Sequence, residues 1–240
     1  MADMSTADEK SRHIRRMFDR IGHRYDLLNR LLSGYGDVWW RRAAVRALNA
    51  SADDLLLDVG IGTGDLALEA LKGRRKPRLI VGVDAAMRMM RIGRKKSENA
   101  AGRAIRFVGG IAEALPLRSG VFDGAMVAFG VRNFTDRVAG LRNIRRVLKP
   151  GGRLVVLELS VPRYPVIRQL YRLYAVHAIP WIGGVISGDA DAYRYLQVSV
   201  EAFPERERFR KLMEDAGFVD TGWRDLTLGV ATVYWGDKRS

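Results

Sequence analysis

Cysteine is absent from all 240 residues of the chain. Its absence excludes disulfide bridges, thiolate zinc sites, iron–sulfur clusters and cysteine nucleophiles by composition alone. Histidine occurs only three times, at widely separated positions, so we expect no metal site. We therefore expect neither cysteine-based chemistry nor a metal-dependent reaction.

The chain also lacks a long apolar run. Residues 1–16, MADMSTADEKSRHIRR, are polar and charged where a secretory signal would be apolar, so we expect a cytoplasmic protein. The most apolar stretch, Ala175 to Gly188, is interrupted by Pro180, Gly183 and Gly184 and is too short to cross a bilayer. We interpret it as part of a lid that rests reversibly on an anionic membrane, or as a lid packed on its own core.

Basic residues outnumber acidic ones by 14, and the excess is uneven. Residues 72–106 contain 12 basic and 2 acidic side chains. Such a surface is compatible with a solvated basic face, an anionic membrane or a nucleic acid backbone. Charge alone does not choose among them.

Short apolar segments alternate with segments that can form helices, which predicts βαβ units and a parallel sheet covered on both faces. The apolar segments are LLLDVG at 55–60, LIVGVD at 79–84, IRFVGG at 105–110, FDGAMVAFG at 122–130 and RLVVLELS at 153–160. The predicted fold is therefore α/β, with a doubly wound, Rossmann-like and mostly parallel sheet.

We expect one domain in which this core, residues 51–160, carries additions at both ends. Residues 1–50 predict an N-terminal helical cap, with a second helix from about residue 37 to 48. Residues 161–204 are rich in aromatics and predict a lid insertion over the site. Residues 205–240 predict a helix followed by an antiparallel hairpin.

A glycine loop follows the first predicted strand. Gly60, Gly62 and Gly64 alternate between Asp58 and Asp65, so the backbone can turn tightly and approach a ligand closely. A purely structural turn or a dinucleotide loop would look similar. However, the spacing is not G-x-G-x-x-G, and the two carboxylates would repel a phosphate. They suit a phosphate-free cation such as S-adenosylmethionine.

Two further segments extend this prediction. Asp84 ends the second strand, where its carboxylate can accept hydrogen bonds from both ribose hydroxyls, although it can equally cap the next helix. The segment Ile111 to Pro116 follows the third strand, where an adenine can lie against backbone and small side chains.

From about Phe18 to Trp235 the sequence resembles class I methyltransferases, and more closely the ubiquinone/menaquinone biosynthesis C-methyltransferases. General methyltransferase motifs are DVGIGTGD at 58–65, AEALP at 112–116 and RVLKPGGRL at 146–154. More specific are FGVRN at 129–133 and DADAYRYL at 189–196, and the resemblance also rests on Tyr25-Asp26, Asn29, Ser33 and DAGF at 215–218. The resemblance implies transfer of a methyl group from S-adenosylmethionine to a ring carbon of a prenylated quinol, such as demethylmenaquinol giving menaquinol.

The loops and the resemblance together predict a set of cofactor-binding residues. They are Asp58, Gly60, Gly62, Thr63, Gly64, Asp84, Ala85, Ile111, Ala112 and Ala128. Three positions depart from the family pattern. Ile111 replaces an asparagine or aspartate that would accept from the adenine amino group, Ala128 replaces a serine, and Asp37 stands where the family has histidine.

Arg132 and Asn133 are the predicted catalytic residues. A ring carbon becomes nucleophilic when the adjacent phenol ionises, and a cation within a few ångströms favours the phenolate. We expect Arg132 to pair with that phenolate and Asn133 to bond an oxygen, although Arg132 can also simply fix its loop. Asp26 and Asp189 are candidate proton acceptors.

Other side chains are weaker candidates for the acceptor pocket. Tyr25, Tyr193 and Tyr195 can line the pocket or belong to the core. His177, in the apolar insertion, can relay a proton or serve structurally.

Several functions stay open at this point. A methyltransferase for another small aromatic or lipid shares every cofactor feature, and a cofactor-binding protein without catalysis or a dehydrogenase has a similar core. A nucleic acid methyltransferase is disfavoured because the chain lacks both cysteine and an Asn/Asp-Pro-Pro-aromatic motif after the fourth strand. The oligomeric state is open, with a homodimer among the options.

Overall fold

A seven-stranded sheet forms the centre of the computed structural model, which describes residues 2–73, 75–100, 104–178, 181 and 189–240. The strand order is β3-β2-β1-β4-β5-β7-β6. The strands are Leu55–Val59 (β1), Leu79–Asp84 (β2), Ile105–Gly109 (β3), Phe122–Ala128 (β4), Leu148–Leu159 (β5), Phe218–Leu226 (β6) and Ala231–Lys238 (β7).

The sheet has the predicted mixture of directions. Strands β1 to β5 pair in parallel, with Leu55 opposite Leu79 at the start of the β1–β2 ladder. Strand β7 pairs antiparallel with both β5 and β6, so the C-terminal hairpin is confirmed.

The fifth strand begins earlier than the sequence predicted. The turn around Gly151 is present, with φ of +77°. Nevertheless, Leu148 already pairs with Phe122, and the register shifts before Gly124 pairs with Arg153. The turn is therefore an irregularity inside β5 rather than its beginning.

Helices cover both faces of the sheet, as predicted for a doubly wound fold. They are Ala2–Leu32 (α1), Gly36–Leu48 (α2), Asp65–Ala70 (α3), Met87–Ala100 (α4), Arg137–Val147 (α5), Pro165–Leu173 (α6), Ala190–Glu201 (α7) and Glu207–Asp215 (α8). Single turns of 3-10 helix occupy Val131–Asn133 and Thr227–Gly229, and a π-helical turn, Tyr174–Ala178, follows α6.

Two apolar clusters form the core, one on each face of the sheet. On one face, Trp40 of α2 and Leu66 of α3 pack against strand residues such as Leu56. On the other, Leu141 of α5 and Phe209 of α8 lie in the second cluster. Burial on both faces explains why the strand sequences are continuously apolar rather than alternating.

The N-terminal cap is held by polar contacts with the core and the lid. Asp26 of α1 pairs with Lys96 of α4 at 2.7 Å, and Arg20 of α1 pairs with Asp189 at 2.8 Å. The cap therefore links α4 to the beginning of α7.

The lid continues from β5 through α6 and the π-helical turn to α7. Residues 179–180 and 182–188 of the predicted membrane-resting stretch lie outside the described residues. Within the described ranges, none of the helices combines the length and the apolar character needed to cross a membrane.

Candidate active site

The loops that follow β1, β2, β3 and β4 meet at the carboxyl edge of the sheet and surround a cavity of about 170 Å³. We call it the glycine-loop cavity. Strands β1 and β4 are neighbours in the sheet although two βα units separate them in sequence. This change in winding direction leaves a crevice between their loops, where open α/β sheets bind ligands.

The three glycines of the loop all adopt left-handed backbone conformations. Gly60, Gly62 and Gly64 have φ of +71°, +53° and +81°, and residues with a Cβ rarely adopt such values. The loop is fixed to β2, because the Gly60 N–H donates to the Val83 carbonyl at 2.7 Å. The G-x-G-x-G spacing is therefore required by the backbone itself.

Asp84 holds the loop from the end of β2. Its Oδ2 accepts from the Gly62 N–H at 2.8 Å, and its Oδ1 accepts from the Ala86 N–H at 2.7 Å. Burial raises the pKa of Asp84 despite these hydrogen bonds. The carboxylate thus fixes the glycine loop and the turn before α4, and it also lines the cavity.

Asp58 gives the clearest indication of the ligand's charge. Its side chain is 1% exposed and lines the cavity, and its Oδ2 has no hydrogen-bond partner among the described residues. Burial, and secondarily the charge of Asp84, raise the pKa of Asp58 well above its usual range. A buried carboxylate oxygen without a hydrogen bond is costly, and a cation in the cavity would offset that cost. The site therefore fits the cationic methionine portion of S-adenosylmethionine.

Asp65 lines the same cavity but is already neutralised. It pairs with Lys96, with Arg41 at 3.7 Å and with Arg30 at 3.9 Å. Burial favours a higher pKa for Asp65, but these cations lower it below its ordinary value. Of the two carboxylates that flank the glycine loop, Asp58 is consequently the one available to a ligand.

Nine of the ten predicted cofactor residues line the glycine-loop cavity; they are Asp58, Gly60, Gly62, Thr63, Asp84, Ala85, Ile111, Ala112 and Ala128. Gly64 lies behind the turn, where an added Cβ would be 3.8 Å from the Phe107 ring. The Ile111 side chain is 43% exposed. Because it is aliphatic, it can offer an adenine apolar contact but no hydrogen bond. Sequence analysis missed Ile14 and Phe18, which α1 adds to the lining.

A second cavity, of about 260 Å³, adjoins the first, and we call it the acceptor cavity. Its walls come from α1, α2, the lid, the loop after β4, the end of β5 and the turn between β6 and β7, and most of the lining side chains are apolar or aromatic. Phe18 and Phe129 line both cavities, so these two rings form the partition between them. The Tyr174 hydroxyl donates to the Leu32 carbonyl at 2.8 Å, joining the π-helical turn to the end of α1.

Phe129 is held in an unusual backbone conformation. Its φ is +56°, which is uncommon for a bulky residue. Its ring meets Trp40 edge to face at 6.4 Å and lies 5.6 Å from the Arg41 guanidinium. Strain of this kind persists only where the surrounding structure over-determines it.

Arg132 lines the acceptor cavity, and hydrogen bonds to Glu158 and to the Phe129 carbonyl hold its side chain in place. Its Nη1 donates to Glu158 Oε1 at 2.6 Å and to the Phe129 carbonyl, and its backbone N–H donates to Glu158 Oε2 at 3.2 Å. Glu158 is completely buried. Arg132 therefore fixes its own loop, and the same contacts hold its cation beside the acceptor cavity.

Asn133 faces the glycine-loop cavity and connects it to the lid. Its Oδ1 accepts from the Tyr195 hydroxyl at 3.0 Å, and Tyr195 lines the acceptor cavity. Burial raises the pKa of Tyr195, which keeps its hydroxyl protonated as a donor.

The other predicted acceptor residues are placed differently. Asp26 accepts from Thr63 Oγ1 at 2.5 Å and pairs with Lys96, while Asp189 caps α7 and pairs with Arg20. Neither carboxylate is among the described lining residues of the two cavities. The exposed His177 is also absent from both described linings. The side chains of Tyr25 and Tyr193 lie outside the described set.

Comparison with known proteins agrees with this geometry. The family model described as "ubiE/COQ5 methyltransferase family" matches residues 4–238. A ubiquinone/menaquinone biosynthesis C-methyltransferase of Syntrophotalea carbinolica is 49% identical, over 92% of this chain and 92% of its own. A demethylmenaquinone methyltransferase of Thermus thermophilus is 47% identical, over 92% of this chain and all of its own.

Solved structures share the fold at much lower identity. A SAM-dependent methyltransferase of Thermotoga maritima has a TM-score of 0.66 at 22% identity, covering 95% of this chain and all of its own. Phosphoethanolamine N-methyltransferase 2 of Haemonchus contortus, solved with S-adenosylmethionine, has a TM-score of 0.68 at 12% identity, covering 95% of this chain and 60% of its own. With the family match over nearly the whole length, the chain belongs to the ubiE/COQ5 methyltransferase family and is an S-adenosylmethionine-dependent methyltransferase.

Proposed function

We propose that the protein methylates a ring carbon of a prenylated quinol, such as demethylmenaquinol to menaquinol. The observation that carries this proposal is the pair of adjoining cavities. One surrounds a buried carboxylate at the glycine loop that has one oxygen without a hydrogen bond, and the other is a larger apolar cavity with Arg132 in its wall. Only Phe18 and Phe129 are shared by both linings.

The acceptor cavity suits a flat ring with an apolar tail. Its lining combines the aromatic side chains of Trp40, Tyr171 and Tyr195 with aliphatic ones such as Leu196. Burial raises the pKa of Tyr171 to about 12, so its hydroxyl is a neutral hydrogen-bond donor at physiological pH. The relatives named as quinone methyltransferases support the same substrate class.

S-adenosylmethionine supplies a methyl group attached to a cationic sulfonium. The protein's own contribution is to hold donor and acceptor in line and to exclude water, because this displacement needs no protein nucleophile. The glycine loop, Asp58 and Asp84 would hold the donor, and the partition rings would keep water from the reacting atoms.

Arg132 would lower the free energy of the quinol phenolate. An arginine beside a phenol favours its ionised form, and a phenolate directs electron density to the adjacent ring carbon. Glu158 and the Phe129 carbonyl fix the direction of the guanidinium. Glu158 is therefore a positioning residue in this mechanism.

Membrane contact of the lid is part of the proposal. Helix α6 has no buried residue, and Val166, Leu170 and Leu173 are 72%, 62% and 54% exposed along one stripe of that helix. Arg168 and Arg172 lie on the same helix, which has no acidic residue. An apolar stripe flanked by cations is typical of a helix lying on an anionic bilayer, where a prenylated substrate resides.

The direct test is methyl transfer from labelled S-adenosylmethionine to demethylmenaquinol kept reduced with dithionite. We expect labelled menaquinol, identified by mass, and no product from the oxidised quinone, which has no phenol to ionise. A set of acceptors with the same ring and tails of increasing length measures the contribution of the apolar cavity. Methylation of a non-quinol aromatic or a phospholipid, with the quinol left unreacted, would refute the proposal.

A further inference from the structure

Asp37 is the sole carboxylate among the described lining residues of the acceptor cavity. It stands near the start of α2 and is 2% exposed. The two carboxylates considered from sequence, Asp26 and Asp189, are engaged in ion pairs and line neither cavity. Asp37 is therefore the described carboxylate that is placed to take a proton from an acceptor in this cavity.

The Asp37 carboxylate is held in a fixed orientation. Its Oδ2 pairs with Arg41, and its Oδ1 accepts from Ser33 Oγ at 3.0 Å. The Asp37 backbone N–H donates back to Ser33 Oγ at 3.2 Å. These contacts limit the rotation of the carboxylate.

Arg41 would keep a counterion if Asp37 took up a proton. The same guanidinium lies 3.7 Å from Asp65, whose pKa is lowered below the ordinary value by Arg41 and Lys96 against the opposing effect of burial. Asp65 therefore remains ionised. A buried charge without a partner is strongly unfavourable. Arg41 would still have Asp65 as its partner if Asp37 were protonated.

The groups around Asp37 belong to several elements. Arg41 faces it from α2 and Ser33 from the turn after α1. The titratable and charged groups that line the same cavity from other elements are Arg132, Tyr171, Tyr174 and Tyr195. A phenolate in the cavity would thus have Arg132 as its counterion, while Asp37 holds the proton.

We propose that Asp37 is a catalytic residue that accepts the phenol proton of the acceptor, an inference that rests on the proposed function. The quinol O–H bond breaks, its proton goes to Asp37, and its electron pair enriches the adjacent ring carbon. That carbon bonds to the methyl group as the C–S bond of the donor breaks, and the electron pair stays on sulfur. The methylated carbon then loses its hydrogen as a proton to water, and Asp37 returns its proton to the ring oxygen. One proton is released overall.

The test compares Asp37→Asn with Asp37→His on the reduced quinol. Asparagine keeps the shape but accepts no proton, so we expect kcat to fall by about 100- to 10,000-fold, the range for loss of a general base. The KM for S-adenosylmethionine should stay near the wild-type value. The Asp37→Asn deficit should shrink as the pH approaches about 10, where a phenol ionises without help. Asp191→Asn, an exposed aspartate paired with Arg194, is the matched control and should leave kcat unchanged.

Asp37→His separates a proton acceptor from a structural residue. Histidine can also accept a proton and ordinarily titrates near 6.5, so the acid limb of the kcat profile should move to about 6.5 while much of the activity returns. If Asp37→Asn does not fold, as judged by circular dichroism, this shifted limb alone decides. Wild-type activity in Asp37→Asn, or a limb that does not move in Asp37→His, would overturn the inference. Failure of the wild-type protein to methylate any quinol would instead overturn the proposed function.

Discussion

Arg132 Nη1 and Glu158 Oε1 lie 2.6 Å apart in an ion pair that is almost completely buried, with side chains 4% and 0% exposed. Removing one partner of such a pair leaves a buried charge uncompensated, whereas removing both is much less costly. Stability and catalysis can therefore be separated at this pair.

Arg132→Gln and Glu158→Gln should each lower the free energy of unfolding by about 3–5 kcal/mol, as urea denaturation would measure. The double variant should recover much of that stability but stay inactive toward the quinol, because the cation that favours the phenolate is gone. The exposed pair Arg194 and Asp191 is the control, and its double variant should lose less than about 1 kcal/mol. A double variant that is both stable and fully active would contradict the role of Arg132.

Asp58→Asn should have opposite effects on stability and on cofactor binding. The pKa of Asp58 is raised in the folded state, so its proton is bound more tightly there than in the unfolded chain. Its effect on wild-type stability is favourable at low pH and is lost as the pH rises from about 4 through the raised pKa. An asparagine at this position does not titrate, so it adds no pH dependence to the stability.

The melting temperature of ligand-free Asp58→Asn should therefore exceed that of the wild type by a margin that grows with pH. Calorimetric titration should show the reverse for S-adenosylmethionine: wild-type affinity rises with pH as Asp58 ionises, and the variant lacks this rise. Equal pH dependence in both proteins would show that Asp58 does not respond to the cofactor's charge.

Gly62→Ala should weaken cofactor binding for reasons of backbone geometry. Gly62 has φ of +53°, and an added Cβ would meet nothing closer than 3.6 Å, so the cost comes from the left-handed backbone, about 1–2 kcal/mol. The loop would be expected to relax and misdirect its N–H groups. Gly120 has φ of +65° in open space far from the cavities, so Gly120→Ala should lose similar stability with unchanged S-adenosylmethionine affinity. Equal affinities in the two variants would argue against the loop as the cofactor cradle.

Leu170→Glu should reduce binding to anionic vesicles. Leu170 is 62% exposed at the centre of the α6 stripe, and a carboxylate there removes apolar contact and repels the lipid headgroups. Val198→Glu on α7 introduces the same charge at a residue that is 64% exposed and is the control. We expect co-sedimentation to fall for Leu170→Glu alone. Equal loss in both variants would point to net charge rather than to α6.

The cofactor half of the site could be predicted from the sequence because its signals are local. Each loop that lines the glycine-loop cavity begins at a strand end, and the strands that precede these loops are short and largely apolar. The left-handed φ values of Gly60 and Gly62 are required by the turn that the spacing indicates.

The acceptor half could not be predicted in the same way because distant segments assemble it. Tyr195 reaches Asn133 across 62 positions, and Tyr174 reaches Leu32 across 142. No sequence pattern indicates that cations from α1, α2 and α4 neutralise Asp65. Nor does any pattern indicate that Asp26 joins α1 to Thr63. Such pairings depend on tertiary packing rather than on periodicity.

The partition between the cavities has a thermodynamic consequence. Phe18 comes from α1 and Phe129 from the loop after β4, so both binding pockets gain their common wall only when the N-terminal helix is docked. A ligand in either pocket would favour the docked helix and thereby prepare the other pocket. Donor and acceptor are thus expected to bind with positive cooperativity through the docked helix, in addition to any contact between the methyl group and the ring carbon.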